Sequence, residues 1–218
     1  MDRSFNYIIS PEISEFERFS PKLKIGVLAS GKGTNFQELI NLSEKGELDI
    51  DIKVLITNND DAGCIKRAES KQIPHKIIRG KDFVQKEEFE LEIVNTLIHY
   101  DVELVVMAGW MKIVTPFFIN KFKNKIINIH PSLLPAYKGG SAIKDCILNG
   151  SKITGCSVHF VEEEVDSGSL IMQAALSIRK DDDIESLSKR IQILEHKILP
   201  HSISLAGFLI RSKFMENY

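Results

Sequence analysis

From Lys24 onward, short apolar runs alternate with longer segments whose apolar residues recur at helical spacing. Lys24–Ala29 (KIGVLA) predicts a buried strand, and Asn35–Lys45 a helix after a glycine turn. Asp51–Thr57 (DIKVLIT) predicts a second strand, followed by a helix over Gly63–Lys71 and a short strand at His75–Ile78. Val84–His99 predicts a longer helix with Phe89, Ile93 and Leu97 on its apolar stripe. Glu103–Ala108 is a third buried run, Pro116–Phe122 a helix, and Ile126–His130 a further strand. Strands apolar on both faces, alternating with helices, define an α/β chain. The expected fold is Rossmann-like, a largely parallel sheet with helices on both faces.

The last third changes character. Ser141–Leu148 reads as a helix, and Ser157–Val161 and Leu170–Ile178 as strands separated by the acidic run Glu162-Glu163-Glu164-Val165-Asp166. Asp181–Asp183 open a final helix at its positive end, where carboxylates are favoured. Its stripe is Leu187, Ile191, Leu194 and Ile198; Gln192 and Glu195 lie off it, three apart, and can meet one ligand. Residues 1–22 carry Pro11 and Pro21 and little periodicity. They read as an N-terminal extension, with 23–218 as a single domain.

Composition narrows the class. The 218 residues are 43% apolar and 27% charged, enough for a sizeable core. A net charge of −2 argues against a general nucleic-acid binder. No apolar run approaches the roughly 18 residues of a membrane span, and the N-terminus has no apolar leader segment. Cys64, Cys146 and Cys156 are odd in number and widely spaced, against a disulfide framework or zinc site. The expectation is a soluble cytoplasmic protein that needs no metal.

Two segments carry candidate chemistry. The first is Asn128-Ile129-His130-Pro131-Ser132-Leu133. In a strand that persists to residue 130, Asn128 and His130 share a face, and Pro131 ends the ladder. An amide donor and an imidazole then sit at a strand's carboxyl end, where open α/β sheets bind ligands. That pairing suits a reaction that forms an oxyanion and moves a proton. Alone, it is more readily read as a capped turn beside a satisfied histidine. The second segment is Ser30-Gly31-Lys32-Gly33-Thr34-Asn35, between the first strand and helix. It fails the dinucleotide pattern at Phe36 and the P-loop pattern at Gly33. What remains is a short anion loop suited to one phosphate monoester, or a plain strand-to-helix turn.

Taken in order, S-G-K-G-T-N-F-Q at 30–37, M-A-G-W-M-K-I at 107–113, N-I-H-P-S-L-L-P at 128–135, G-C-S-V-H-F-V at 155–161, V-D-S-G at 165–168 and E-H at 195–196 resemble the glycinamide ribonucleotide formyltransferases. These are folate-dependent enzymes of purine synthesis, and the resemblance covers roughly residues 23–210. It implies the formyltransferase fold and 10-formyltetrahydrofolate as formyl donor. Asn128, His130 and Asp166 match the family's catalytic trio. Gly33, Thr34 and Asn35 would hold the ribonucleotide phosphate, with Gln192 and Glu195 reaching its phosphoribosyl part. Lys86, Met111, Lys112, Ile113 and Val114 would meet the folate, together with Asn128 and the loop Glu162, Glu163, Glu164, Val165 and Asp166, which would close over the pterin.

The implied chemistry is attack of the glycinamide amine on the formyl carbon. Asn128 and protonated His130 would donate to the oxyanion, Asp166 would favour the imidazolium by its charge, and His130 would pass the proton to N10 of the folate. His159 could order Asp166 or a water but reads by default as a core histidine, and the acidic run alone reads as a solvated turn. The sequence departs from the family at Lys86 and Lys112, where arginine is common, and lysine lacks the bidentate fork. Gly140, Ser141 and Ile143 occupy a loop where many relatives carry histidine. Four rivals fit less well. A formyltetrahydrofolate hydrolase has no use for the phosphate loop. An initiator-tRNA formyltransferase would need a basic face, and a non-catalytic binding module has no use for the trio. A nicotinamide oxidoreductase fails at Phe36. Partners are the two small-molecule substrates, with no nucleic acid or membrane, and with monomer and homodimer both open.

Overall fold

The computed structural model describes residues 6–212. Eight strands form one sheet in the order β1-β8-β7-β6-β5-β2-β3-β4. The parallel half comprises β2 (Leu23–Leu28), β3 (Ile50–Thr57), β4 (His75–Ile77), β5 (Leu104–Met107) and β6 (Ile126–His130). The antiparallel half adds β7 (Ile153–Phe160), β8 (Leu170–Ser177) and β1 (Tyr7–Ser10).

Helices cover both faces because side chains of the parallel strands alternate between two cores. Leu23, Ile25 and Val27 face a core with α1 (Thr34–Glu44), α2 (Gly63–Ser70) and α6 (Ile184–Ser212). Leu28, Val54 and Ile56 face the other, with α3 (Lys86–His99) and α4 (Pro116–Lys121). The remaining helix, α5 (Ala142–Leu148), follows the loop after β6. On α6 the predicted stripe Leu187, Ile191, Leu194 and Ile198 is buried. Asp183 opens that helix by a reciprocal bond pair: Ser186 N–H donates to its carboxylate at 2.7 Å, and its own N–H donates to Ser186 Oγ at 2.9 Å.

Three boundaries differ by two residues or more from the sequence expectation. The segment read as an extension contributes β1, which pairs with β8 from Tyr7↔Leu176 to Ser10↔Gln173. As an edge strand it leaves Ile8 72% exposed, so no burial pattern marks it. Strand β7 begins at Ile153, four residues before the expected start, and runs through Gly155. A Cβ at Gly155 would lie 1.8 Å from the Ala174 carbonyl oxygen, so close strand approach demands glycine there. Helix α3 starts at Lys86 rather than Val84, because Gln85 and Glu88 form a capping box there.

Candidate functional site

The carboxyl ends of β2, β5 and β6 converge on one end of the sheet. Ser30 N–H donates to the Gly109 carbonyl at 3.0 Å, and Met111 N–H donates to Ser30 Oγ at 3.0 Å, stitching the first two loops together. Asn128 and His130 lie two residues apart on β6, and their partners on β7 are His159 and Ser157. Asn128 is half-buried and His130 is buried.

Asp166 arrives from the loop after β7, which must fold back over the sheet because β7 ends beside the start of β6. Two backbone features make that return possible. Asp166 has φ +51, and a Cβ at Gly168 would lie 1.9 Å from the Phe160 carbonyl oxygen. Asp166 Oδ2 sits 3.3 Å from His130 Nδ1 and accepts from Gly139 N–H at 2.8 Å. Its Oδ1 accepts from Asn128 Nδ2 at 3.5 Å and lies 3.6 Å from His159 Nε2. Two donors, Asn128 Nδ2 and His130 Nδ1, thus converge on negatively charged oxygen.

His130 Nε2 lies 2.8 Å from the Tyr137 carbonyl, so both ring nitrogens face oxygen acceptors. A ring donating through both nitrogens satisfies that setting. His159 Nδ1 is 2.7 Å from the Phe160 carbonyl, and its Nε2 lies 3.3 Å from Asn128 Nδ2 and 3.6 Å from Asp166 Oδ1. Burial acts to raise the Asp166 carboxyl. The His159 ring, the Gly139 N–H and the charge of His130 outweigh it and hold the group below the ordinary carboxylate value.

The glycine loop lies at the same end. Gly33 caps α1 in the left-handed region at φ +69, with Gln37 N–H donating to its carbonyl at 2.9 Å. Among the described residues, no group accepts from the N–H groups of Gly33, Thr34 and Asn35. These are the orphan donors of a helix N-terminus, the usual seat of a bound anion. Helix α6 crosses beside them. Gln192 Nε2 donates to Thr34 Oγ1 at 2.7 Å, and Asn35 Nδ2 donates to Glu195 Oε2 at 2.9 Å. Burial pushes the Glu195 carboxyl up, against the Asn35 bond. Asn35 Oδ1 is buried without a partner.

The remaining candidates line the loop after β5 and the start of α3. Met111, Lys112 and Ile113 are exposed, and Val114 is buried against the α3–α4 core. Lys86 is exposed on the first turn of α3. Glu162, Glu163, Glu164 and Val165 are exposed, with Glu164 accepting from Lys138 Nζ at 2.7 Å. His159 stands beside Asp166, in the role set second to a core histidine, and the Tyr137 carbonyl and the Gly139 N–H join the cluster unexpected. The two backbone groups leave no sequence signal. For His159 the signal is the Asn128↔His159 register, legible only once β7 is known to run antiparallel to β6. Among the described residues, no cluster of His, Cys, Asp and Glu could hold a metal ion.

Two donors converge on a carboxylate beside the free N–H groups of a helix N-terminus, an arrangement of the kind enzymes of group transfer present. The chain belongs to the formyl transferase family, whose pattern matches residues 23–203. It is 41% identical over 177 residues to the phosphoribosylglycinamide formyltransferase of Haemophilus influenzae, covering 81% of this chain and 84% of that protein. It is also 41% identical to the trifunctional purine biosynthetic protein adenosine-3 of Chironomus tentans, over 86% of this chain but 14% of that protein. The chain therefore spans about a seventh of that longer relative. The crystal structure of glycinamide ribonucleotide transformylase 1 from Symbiobacterium toebii superposes with a TM-score of 0.84 at 35% identity, covering 91% of this chain and 92% of that one. Among the described residues, no helix is long and apolar enough to cross a membrane.

Proposed function

We propose that this protein transfers the formyl group of 10-formyltetrahydrofolate to the amine of glycinamide ribonucleotide, in the cytoplasm, as a step of purine synthesis. The observation that carries this reading is the convergence of Asn128 Nδ2 and His130 Nδ1 on the Asp166 carboxylate, at 3.5 and 3.3 Å. It lies at the same sheet end as the unpaired N–H groups of residues 33–35.

The amine attacks the formyl carbon, and the C=O becomes an oxyanion held by Asn128 and His130. Each such donor typically contributes a factor of ~10²–10³ in rate. The oxyanion then collapses to the formamide C=O as the C–N10 bond breaks; His130 gives its proton to N10, so the folate leaves neutral at that nitrogen, and the neutral ring takes the proton shed by the new N–C nitrogen. Asp166 orients the ring through Nδ1, and the Nε2–H turns from the Tyr137 carbonyl to the substrate. Gly33, Thr34 and Asn35 hold the phosphate by their N–H groups, and Gln192 and Glu195 meet the ribose. Lys86, Met111, Lys112, Ile113 and Val114 contact the folate, and residues 162–166 cover its pterin.

The test is folate release from 10-formyltetrahydrofolate with and without glycinamide ribonucleotide. Release that requires the ribonucleotide, with a formylated product, supports the transfer. Equal release without it, yielding formate, would make the protein a hydrolase and sink the reading.

A further inference from the structure

The anion loop is held from behind. Cys64 N–H, at the start of α2, donates to the Gly31 carbonyl at 3.2 Å. A Cβ on Gly33 would lie 2.5 Å from Cys64 Cβ, and one on Gly63 would lie 3.3 Å from Lys32 Cα, so α2 packs directly on the loop. One turn further along α2, Arg67 Nε donates to the Lys32 carbonyl at 2.9 Å, and its Nη1 donates to Gln37 Oε1 at 2.9 Å. Gln37 in turn donates to Asn41 Oδ1 at 3.0 Å along α1.

The Lys32–Gly33 peptide is planar and trans, so its C=O and N–H point in opposite directions. A guanidinium that captures the Lys32 carbonyl therefore turns the Gly33 N–H away from α2, toward the open side of the loop. We propose that Arg67 is a positioning residue for the phosphate end of the substrate, aiming the Gly33 N–H by holding the other end of its peptide. This rests on the reading that the loop receives a phosphate monoester. Arginine suits the task because its rigid fork reaches two acceptors at once, the Lys32 carbonyl on the loop and Gln37 Oε1 on α1. A lysine can take one of them and keeps the charge.

That difference separates aim from attraction. With folate saturating, Arg67→Met raises KM for glycinamide ribonucleotide about tenfold, the 1.4 kcal/mol equivalent of one charge-assisted hydrogen bond. The folate KM and kcat stay within about twofold, since residues 128–166 are untouched. The inhibition constant of ribose 5-phosphate rises in parallel, because the lost contact concerns the phosphate. Arg67→Lys recovers less than half of the loss on a logarithmic scale. An unchanged ribonucleotide KM in Arg67→Met overturns the proposal, as does full rescue by lysine, which would mean that only charge matters. If Arg67→Met fails to fold, Gln37→Met removes one arm of the fork and is expected to raise the same KM about two- to threefold; no rise overturns the proposal. Wild-type protein without ribonucleotide-dependent transfer would refute the function reading itself, a result independent of any Arg67 variant.

Discussion

Replacing Asp166 by asparagine keeps the shape of the site and removes its charge. The side chain has 9% of its surface exposed and the His130 ring 7%, so solvent screens little of their interaction. At 3.3 Å and an effective dielectric constant of about 20, a full charge pair is worth ~5 kcal/mol. Part of that is offset because the variant no longer buries a carboxylate. The amide also has a preferred pose: its oxygen accepts from Gly139 N–H, which sends its NH₂ toward Asn128 Nδ2, donor against donor. We expect a residual loss of ~3–4 kcal/mol in transition-state stabilisation, which is ~10²–10³ in kcat. The assay is steady-state formyl transfer with both substrates saturating, paired with calorimetric binding of the ribonucleotide, which should change less than twofold. A kcat within tenfold of wild type would refute the role given to this carboxylate.

Gly33→Ala forces a side chain into the left-handed region at φ +69 and places Cβ 2.5 Å from Cys64 Cβ. It should cost ~2 kcal/mol in a denaturant melt and raise the ribonucleotide KM at least tenfold, with the folate KM unchanged. Glu195→Gln should stabilise the ligand-free protein at pH 8 and leave it unchanged near pH 4, read as Tm at each pH. The sign follows from burial, which raises the Glu195 carboxyl in the folded state: stability falls as pH rises through the window above the unfolded value, and glutamine abolishes that fall. Glu90 is 1% exposed and accepts from the Thr115 N–H at 2.8 Å and from the Thr115 hydroxyl, capping α4. Glu90→Leu strands both donors and should cost ~2–4 kcal/mol by chemical denaturation.

The parallel half of the sheet was legible because its strands are apolar on both faces, as KIGVLA and ELVVMA are, and no other architecture buries them so well. The antiparallel half was harder to read. Tyr7–Ser10 gains its place from hydrogen bonds to β8 rather than from burial, and Gly155 serves close packing. The same division runs through the site. Asn128 and His130 declare themselves by spacing along one strand. The approach of Asp166 depends on a loop that doubles back, and the contributions of Tyr137 and Gly139 are main-chain atoms, whose direction no side chain announces.

Two side-chain hydrogen bonds between α1 and α6 join residues far apart along the chain: Thr34 with Gln192, separated by 158 positions, and Asn35 with Glu195, separated by 160. Such distant pairing is slow to form and closes late. On the proposed reading, a growing polypeptide lays down its anion loop early but has no complete ribose subsite until α6 has been made and docked. Ligand that binds only this finished arrangement then adds its binding free energy to the closure, so the ribonucleotide acts as a reporter and a clasp for the last stage of assembly.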